Sequence, residues 1–271
     1  MRAVSASFAA ELMKLRFQLR VWVILLVCAI TPWFFMILIK GQDRLPTDSP
    51  YGRYLKTSGY AAPLMTLGFM ALWGFPLLTS FVSGDLFSSE DQQGTIKTIV
   101  TRSVSRRAIF WGKVGVSFAW STVVLVLLAV STTLAGVIVI GSNPLVSLGG
   151  TELSPGRALA LVAASWGISL IPFLGFACLA LMISVLSRNS VIGVMLPVVI
   201  GFLMQFYAFL NGKDLIRHSL LTTPFHAWHG LLDDPISTSA LTRGVLVSLA
   251  YIAVTLAIAY RTFMRRDITG G

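Results

Sequence analysis

The amino-acid sequence predicts an all-α membrane protein with six transmembrane helices. Of its 271 residues, 55% are hydrophobic and only 12% are charged, whereas a soluble domain has about 25% charged residues. The apolar residues form six long stretches without Asp, Glu, Lys or Arg, each near or above the ~17–25 residues that a helix needs to cross a bilayer. Backbone groups cannot stay unpaired in lipid, so each stretch should be helical; the alternating pattern of an outer-membrane barrel is absent.

The first element, residues 1–20, is predicted to be an amphipathic helix lying along the membrane surface. Phe8, Leu12, Leu15 and Leu19 recur at helical spacing. Glu11, Lys14 and Gln18 lie outside this apolar face. A basic helix of this kind is typical of the membrane interface.

The six spans follow within a single transmembrane domain that covers residues 1–271. Proline at positions 32 and 76 should kink or shift the first two spans. The linker "SRNS" is so short that spans four and five should form an antiparallel hairpin. The predicted spans are 21–39, 61–83, 114–140, 158–186, 190–210 and 243–261.

The distribution of basic residues predicts that both termini are cytoplasmic. This orientation places 13 of the 21 Lys and Arg residues inside and eight outside, as expected when positive charge is retained in the cytoplasm. The net charge of +10 is therefore read as a topology signal and a contact with anionic lipid, not with nucleic acid. The expected location is the cell membrane, either inner or plasma.

Several function classes lack their usual residues. Gly112-Lys113 is followed by Val114 and lacks the preceding glycine of a phosphate-binding loop, so the chain is not expected to hydrolyse ATP. The charge-free stretches contain no Asp, Glu, Lys, Arg or His, which disfavours an ion-coupled carrier. No catalytic residue, metal site or cofactor is predicted in the chain. Cys28 and Cys178 fall inside spans, so a disulfide is not expected.

A polar segment connects spans two and three: "SGDLFSSEDQQGTIKTIVTRSVSRRAIFWGK", residues 83–113. Glu90 and Asp91 should lie in the first turn of a short helix, where acidic groups suit the helix dipole. Gly94 should interrupt this helix, and Ser105 should cap the next one. The pattern alone leaves two interpretations open: a solvated loop that sets topology, or a docking surface.

This segment resembles the cytoplasmic loop of type-2 ABC permeases, the membrane subunits of one class of ATP-driven exporters. The match is carried by Glu90, Gly94, Thr95, Ile96, Ile99, Val104, Ser105, Arg106, Gly112 and Lys113. The chain departs from the family pattern at Ser103, where proline is common. The N-terminal "AELMKLR" and the six-span layout also fit, so the resemblance extends over the whole chain.

The resemblance implies that loop 84–113 carries a cytoplasmic coupling helix seated in a separate ATPase subunit. Two ATPase copies would bind ATP and Mg, and a second permease, identical or a sister subunit, would complete the exporter. Glu90 is expected to form an ionic contact with the ATPase. The full set of expected contacts is Glu90, Asp91, Gly94, Thr95, Ile96 and Arg106.

The resemblance also implies that spans two and five line the substrate path. The residues expected there are Trp73, Phe202, Gln205 and Phe206; packing or lipid contact is the alternative for each. Gln205 is an amide deep in a span, where it needs a partner or water. A path without fixed charge suits an amphipathic or apolar compound or peptide.

Two other functions remain open at this stage: an ion-coupled secondary carrier, and a membrane anchor that recruits a soluble partner through residues 83–113. In the outer segment 211–243, His226 and His229 lie three apart, as metal ligands on one helical turn would. A Trp- and His-bearing helix at the membrane interface is the preferred interpretation of that segment.

Overall fold

The computed structural model describes residues 2–42, 51–95, 105–146, 150–210, 214–231 and 237–266, and these are mostly helical. The α-helices are α1 (Arg2–Arg16), α2 (Leu19–Gly41), α3 (Ala61–Phe69), α4 (Phe75–Ser83), α5 (Ser88–Gln92), α6 (Arg106–Val139), α7 (Pro155–Ser187), α8 (Ser190–Phe209), α9 (Asp214–Ser219) and α10 (Thr238–Arg265). A π-helix, Met70–Gly74, joins α3 to α4, and 3-10 helices cover Gly52–Tyr54 and Thr223–Leu231. Strands β1 (Leu145–Val146) and β2 (Glu152–Leu153) form an antiparallel pair.

Within the described residues, five helices are long and apolar enough to cross a membrane: α2, α6, α7, α8 and α10. They cover the first, third, fourth, fifth and sixth predicted stretches. Helix α6 begins at Arg106, before its charge-free stretch, because Ser105 caps it: the Ser105 hydroxyl accepts the backbone N–H of Ala108 at 3.3 Å. Helix α6 therefore begins seven residues before Lys113, the last charged residue ahead of its apolar stretch.

The second predicted stretch, 61–83, is helical but consists of three consecutive pieces: α3, the π-helix and α4. Pro76 has no N–H to continue the α-helical hydrogen bonds, and the wider π turn immediately precedes it. The N–H of Phe75 bonds instead to the carbonyl of Met70. Because no single α-helix here is long enough, this stretch is not among the five candidate spans.

Two close glycine contacts fix the ends of the 61–83 stretch. Just before its start, Gly59 lies so close to Gly136 of α6 that a Cβ on either residue would overlap the other's backbone. Just after its end, Gly84 meets Gly193 of α8 in the same way. The stretch therefore runs from the C-terminal part of α6 to the N-terminal part of α8.

Helix α7 forms the centre of the bundle. In its most apolar 18-residue window 72% of residues are buried, compared with 17% for α8 and α10. The outer helices consequently expose apolar faces, such as Phe34 on α2 and Val199 on α8. This distribution is expected for a protein whose surface meets lipid.

The segment from Leu221 to Leu231 packs inside the bundle and does not lie at its rim as an interfacial helix would. The Phe225 ring lies 5.3 Å from that of Phe75 and 5.7 Å from that of Phe176, measured between centroids. Leu221, Phe225 and Trp228 are all buried. These apolar side chains gain more by packing than by remaining at an interface.

Candidate functional site

Four charges of alternating sign form a ring at one end of the bundle, joining α1, α5 and α6. Lys14 Nζ lies 2.7 Å from Glu11 Oε1 and 2.8 Å from Glu90 Oε1. Lys113 Nζ lies 3.1 Å from Glu11 Oε2 and 2.9 Å from Glu90 Oε2. Each lysine thus contacts both carboxylates. We call Glu11, Lys14, Glu90 and Lys113 the charge ring.

Lys113 is the buried member of the ring, with a side chain only 1% exposed. A buried ammonium is stable only when it is paired and hydrogen-bonded. Besides its two carboxylates, Lys113 Nζ donates to the carbonyl of Leu86 at 2.7 Å and lies 5.4 Å from the centroid of the Phe87 ring. Its charge therefore holds together α1, the loop after α4, and α6.

The ring shifts the acid–base properties of its α1 members. Burial alone would raise the pKa of the Glu11 carboxyl, but the charges of Lys113 and Lys14 outweigh it, so this pKa lies below its ordinary value. Burial would likewise lower the pKa of Lys14, but its bonds to Glu11 and Glu90 hold that pKa above its ordinary value. Both residues are therefore held in their charged forms.

Two further ion pairs tie the loop after α4 to other helices. Asp91 of α5 pairs with Arg266 beyond α10, and Arg266 also donates to the carbonyl of Val185 in α7. Asp85 pairs with Arg20 of α2 and accepts the hydroxyl of Ser190 at the start of α8. We call the charge ring and these two pairs together the charged junction.

The C-terminal end of α10 is held from a second side as well. Arg106 at the start of α6 donates to the carbonyl of Arg266 at 2.8 Å and to that of Met264 at 3.3 Å. Through the ion pairs and hydrogen bonds of its members, the charged junction connects the loop between the second and third predicted spans with α1, α2, α6, α7, α8 and α10.

The residues predicted to contact an ATPase fall into two groups. Glu90 and Asp91 have side chains only 12% and 10% exposed, and both form ion pairs within this chain. Arg106 donates hydrogen bonds to carbonyls of the same chain. Gly94 and Thr95 are exposed, and Gly94 has a φ of +69°, which favours glycine. Ile96 lies outside the described residues. The contact of these residues with an ATPase stays a prediction.

Sequence reasoning missed Glu11, Lys14, Asp85, Lys113 and Arg266 as members of the site. One signal was present: Lys113 immediately precedes a charge-free stretch in a helix, so its ammonium needs a nearby carboxylate or water. The identity of its partners required the tertiary structure, because Glu11 lies 102 residues away.

The four residues predicted to line a substrate path lie together around one cavity. The ring centroids of Trp73 and Phe202 are 4.9 Å apart, and those of Phe202 and Phe206 are 6.2 Å apart. With Gln205 and Phe209 they line a cavity of about 300 Å³. We call these five residues the aromatic cavity. That cargo passes here stays a prediction.

Gln205 is the polar residue of the aromatic cavity. Its Oε1 atom is buried, and no hydrogen-bond partner for it exists among the described residues. An unsatisfied buried acceptor is costly. The neighbouring rings are half exposed, with Trp73 and Phe206 each at 51%. The cavity therefore combines an open aromatic surface with an acceptor that lacks a donor.

The two histidines of the outer segment have adjacent, nearly parallel rings, with centroids 5.7 Å apart for His226 and His229. In the described part of the chain, no group of three or more His, Cys, Asp or Glu residues is arranged to hold a metal ion.

The five candidate spans, with a polar loop built into one end of the bundle, define a multi-pass helical membrane protein. Its sequence matches the family described as ABC-2 family transporter protein over residues 7–204, so the chain belongs to that family. A search of curated proteins gave no match. The family match confirms the resemblance seen in the loop between the second and third predicted spans.

Members of this family are membrane components of transporters; they are not themselves catalytic and normally work with an ABC ATPase. The matched region contains all four residues of the charge ring, and also Trp73 and Phe202. It ends one residue before Gln205.

Proposed function

We propose that this chain is the permease subunit of an ABC exporter, moving an amphipathic or apolar compound or peptide across the cell membrane. A separate ATPase binds through residues 84–113 and supplies the energy. The charged junction is the observation that carries this proposal. It connects one short loop to six helices, so a displacement of the loop is transmitted to the bundle.

Six membrane spans are part of this proposal, the sixth being the stretch 61–83. Its 23 helical residues extend over about 35 Å, which is enough to cross the hydrocarbon core. Its flanking glycines contact the C-terminal part of α6 and the N-terminal part of α8, which lie at opposite ends of the bundle. Both termini, the charged junction and loop 84–113 are placed in the cytoplasm, in keeping with the distribution of basic residues.

The working complex has two permeases, identical or sister subunits, and two ATPase copies that bind ATP and Mg. When ATP draws the ATPases together, each coupling loop moves with its ATPase. The junction passes this movement to α1 and α6 through the charge ring and to α10 through Asp91. The interface between the permeases then opens outward.

The aromatic cavity is proposed as part of the substrate path. Helix α8 has one of the least buried windows of the bundle, which leaves this face available to a second permease and to cargo. Aromatic rings suit amphipathic molecules, and a polar group among them fixes orientation. The buried acceptor of Gln205 suits a cargo that carries a hydrogen-bond donor.

The test is to purify the chain from its native membranes, identify the copurifying proteins and reconstitute the complex in liposomes. We expect an ABC ATPase to copurify, and we expect ATP-dependent movement of an amphipathic compound out of the compartment that holds the ATPase. A chain that copurifies with no ATPase, or one that drives transport with an ion gradient alone, contradicts the proposal.

A further inference from the structure

The two acidic residues of α5 are held in different directions, although they are adjacent in sequence. Glu90 contacts Lys14 of α1 and Lys113 of α6. Asp91 contacts Arg266, which follows α10. Helix α5 has only five residues, so these contacts determine its position between the N-terminal and C-terminal ends of the chain.

The three residues that follow α5, Gln93, Gly94 and Thr95, are uncharged and exposed. The Gly94 N–H bonds to the carbonyl of Asp91, and the Thr95 hydroxyl donates to the carbonyl of Glu90 at 3.3 Å. Both bonds are accepted by main-chain carbonyls of α5. The Gln93 side chain remains exposed. We call residues 93–95 the loop tip.

We infer that Glu90 and Asp91 are positioning residues that hold the coupling loop to α1, α6 and α10, and that the ATPase is met by the uncharged loop tip. This inference rests on the proposed function and changes the role that the family resemblance implies for Glu90. The partner surface it requires is polar, with no need for a cation opposite Glu90.

The energetics of Lys113 favour this assignment. For Glu90 to form an ionic contact with another protein, its carboxylate would have to leave Lys113. The ammonium, which is almost fully buried, would then keep only Glu11 as its counter-charge. Separating a buried pair is strongly unfavourable, whereas an exposed ion pair formed in exchange contributes little. Glu90 is therefore more stable in the charge ring than in an exposed contact with the ATPase.

A double-mutant cycle tests the role of Glu90. The probe is the ATPase that copurifies with the wild-type chain, titrated against the permease in lipid nanodiscs. We expect Glu90→Gln to weaken ATPase binding about tenfold in the wild-type chain, a change of about 1.4 kcal/mol. In a chain that carries Lys14→Met and Lys113→Met, the same change should weaken binding less than about twofold, because its partners are already removed. Equal losses in both backgrounds would show a direct contact and overturn the inference.

A second measurement needs no ATPase and guards against variants that fail to fold. For the permease alone, Glu90→Gln should lower the thermal midpoint, whereas Glu152→Gln, an exposed glutamate on β2, should not. An unchanged midpoint in Glu90→Gln contradicts the positioning role. This result is independent of transport, so it distinguishes failure of the inference from failure of the proposed function, in which the wild-type chain binds no ATPase.

The loop tip has its own test. Gln93→Arg and Thr95→Arg should each weaken ATPase binding about tenfold or more, because each adds bulk and charge to the contact. Both should keep the wild-type thermal midpoint, since these side chains are exposed. Wild-type affinity in both variants would remove the loop tip from the interface and overturn that part of the inference.

Discussion

The charged junction and the aromatic cavity differ in whether their polar groups meet an opposite charge of the same chain, although Glu90 Oε2 and Arg266 Nε of the junction are, like Gln205 Oε1, buried without a hydrogen bond among the described residues. In the junction, Asp85, Glu90 and Asp91 each contact a cation of the same chain. In the cavity, Gln205 presents a buried acceptor without a partner among the described residues, beside half-exposed aromatic rings. The junction is therefore held by ion pairs within one chain, whereas the acceptor of Gln205 has no such partner among the described residues; that a molecule from outside completes the cavity is a prediction.

The largest expected effect lies in the junction. Glu11→Gln combined with Glu90→Gln leaves the buried ammonium of Lys113 without a counter-charge. We expect the free energy of unfolding to fall by about 3–5 kcal/mol, measured by denaturation in bicelles. Adding Lys113→Met should restore most of this loss, because it removes the buried ammonium that the two Gln substitutions leave without a counter-charge. Wild-type stability in the double variant would show that the ring does not support the fold.

A smaller effect is expected where the loop and α8 approach each other. Gly84→Ala should lower the free energy of unfolding by about 1–3 kcal/mol, because a Cβ there would overlap the Gly193 carbonyl. The matched control is Gly156→Ala at the start of α7, where a Cβ would meet no atom within 4 Å. Equal stability in the two variants would mean that the junction is loosely packed against α8.

The contribution of the charge ring to stability should depend on pH. The pKa of Glu11 is lowered in the fold, so its stabilising contribution is present above its unfolded pKa and is lost as the pH falls through the folded value. The pKa of Lys14 is raised, so its contribution is present below its unfolded pKa and is lost as the pH rises through the folded value.

We therefore expect the thermal midpoint of the wild-type chain to decline at both extremes of pH. The difference between wild type and Glu11→Gln should shrink towards acid, and that between wild type and Lys14→Met should shrink towards alkali. The measurement is the thermal midpoint across the pH range for the three proteins. Differences that stay constant with pH would contradict the assignment of charge to the ring.

Five of the six predicted apolar stretches coincide with single long helices among the described residues, because long charge-free stretches have few alternatives in lipid. The family resemblance led to Trp73, Phe202, Gln205 and Phe206 through spans two and five; these residues lie around one cavity, and their role in a substrate path stays a prediction. The sequence did not predict the π-helix before Pro76 or the burial of Phe225, both of which depend on packing against other helices. The partners of Glu90 were also missed, since ion pairs between distant segments leave no local pattern.

The smallest effect on stability, and the most informative one for function, is expected in the aromatic cavity. In the junction, replacing a polar side chain by an apolar one leaves a buried charge without a partner. In the cavity, Gln205→Leu removes an acceptor that already lacks one. We therefore expect it to leave the free energy of unfolding unchanged or to raise it by up to about 1 kcal/mol.

The functional effect of Gln205→Leu should be larger. If cargo supplies the donor for Gln205, then Gln205→Leu should reduce the ratio of ATPase activity with cargo to that without it. Phe206→Ala should reduce this ratio as well, by removing part of the aromatic surface. Phe34→Ala, an exposed phenylalanine on α2, is the matched control and should leave the ratio unchanged. The measurement is that ratio in reconstituted membranes containing the permease and its ATPase. If Gln205→Leu and Phe206→Ala both keep the wild-type ratio, the cavity is not on the substrate path, and its exposed rings serve packing against lipid or a second permease.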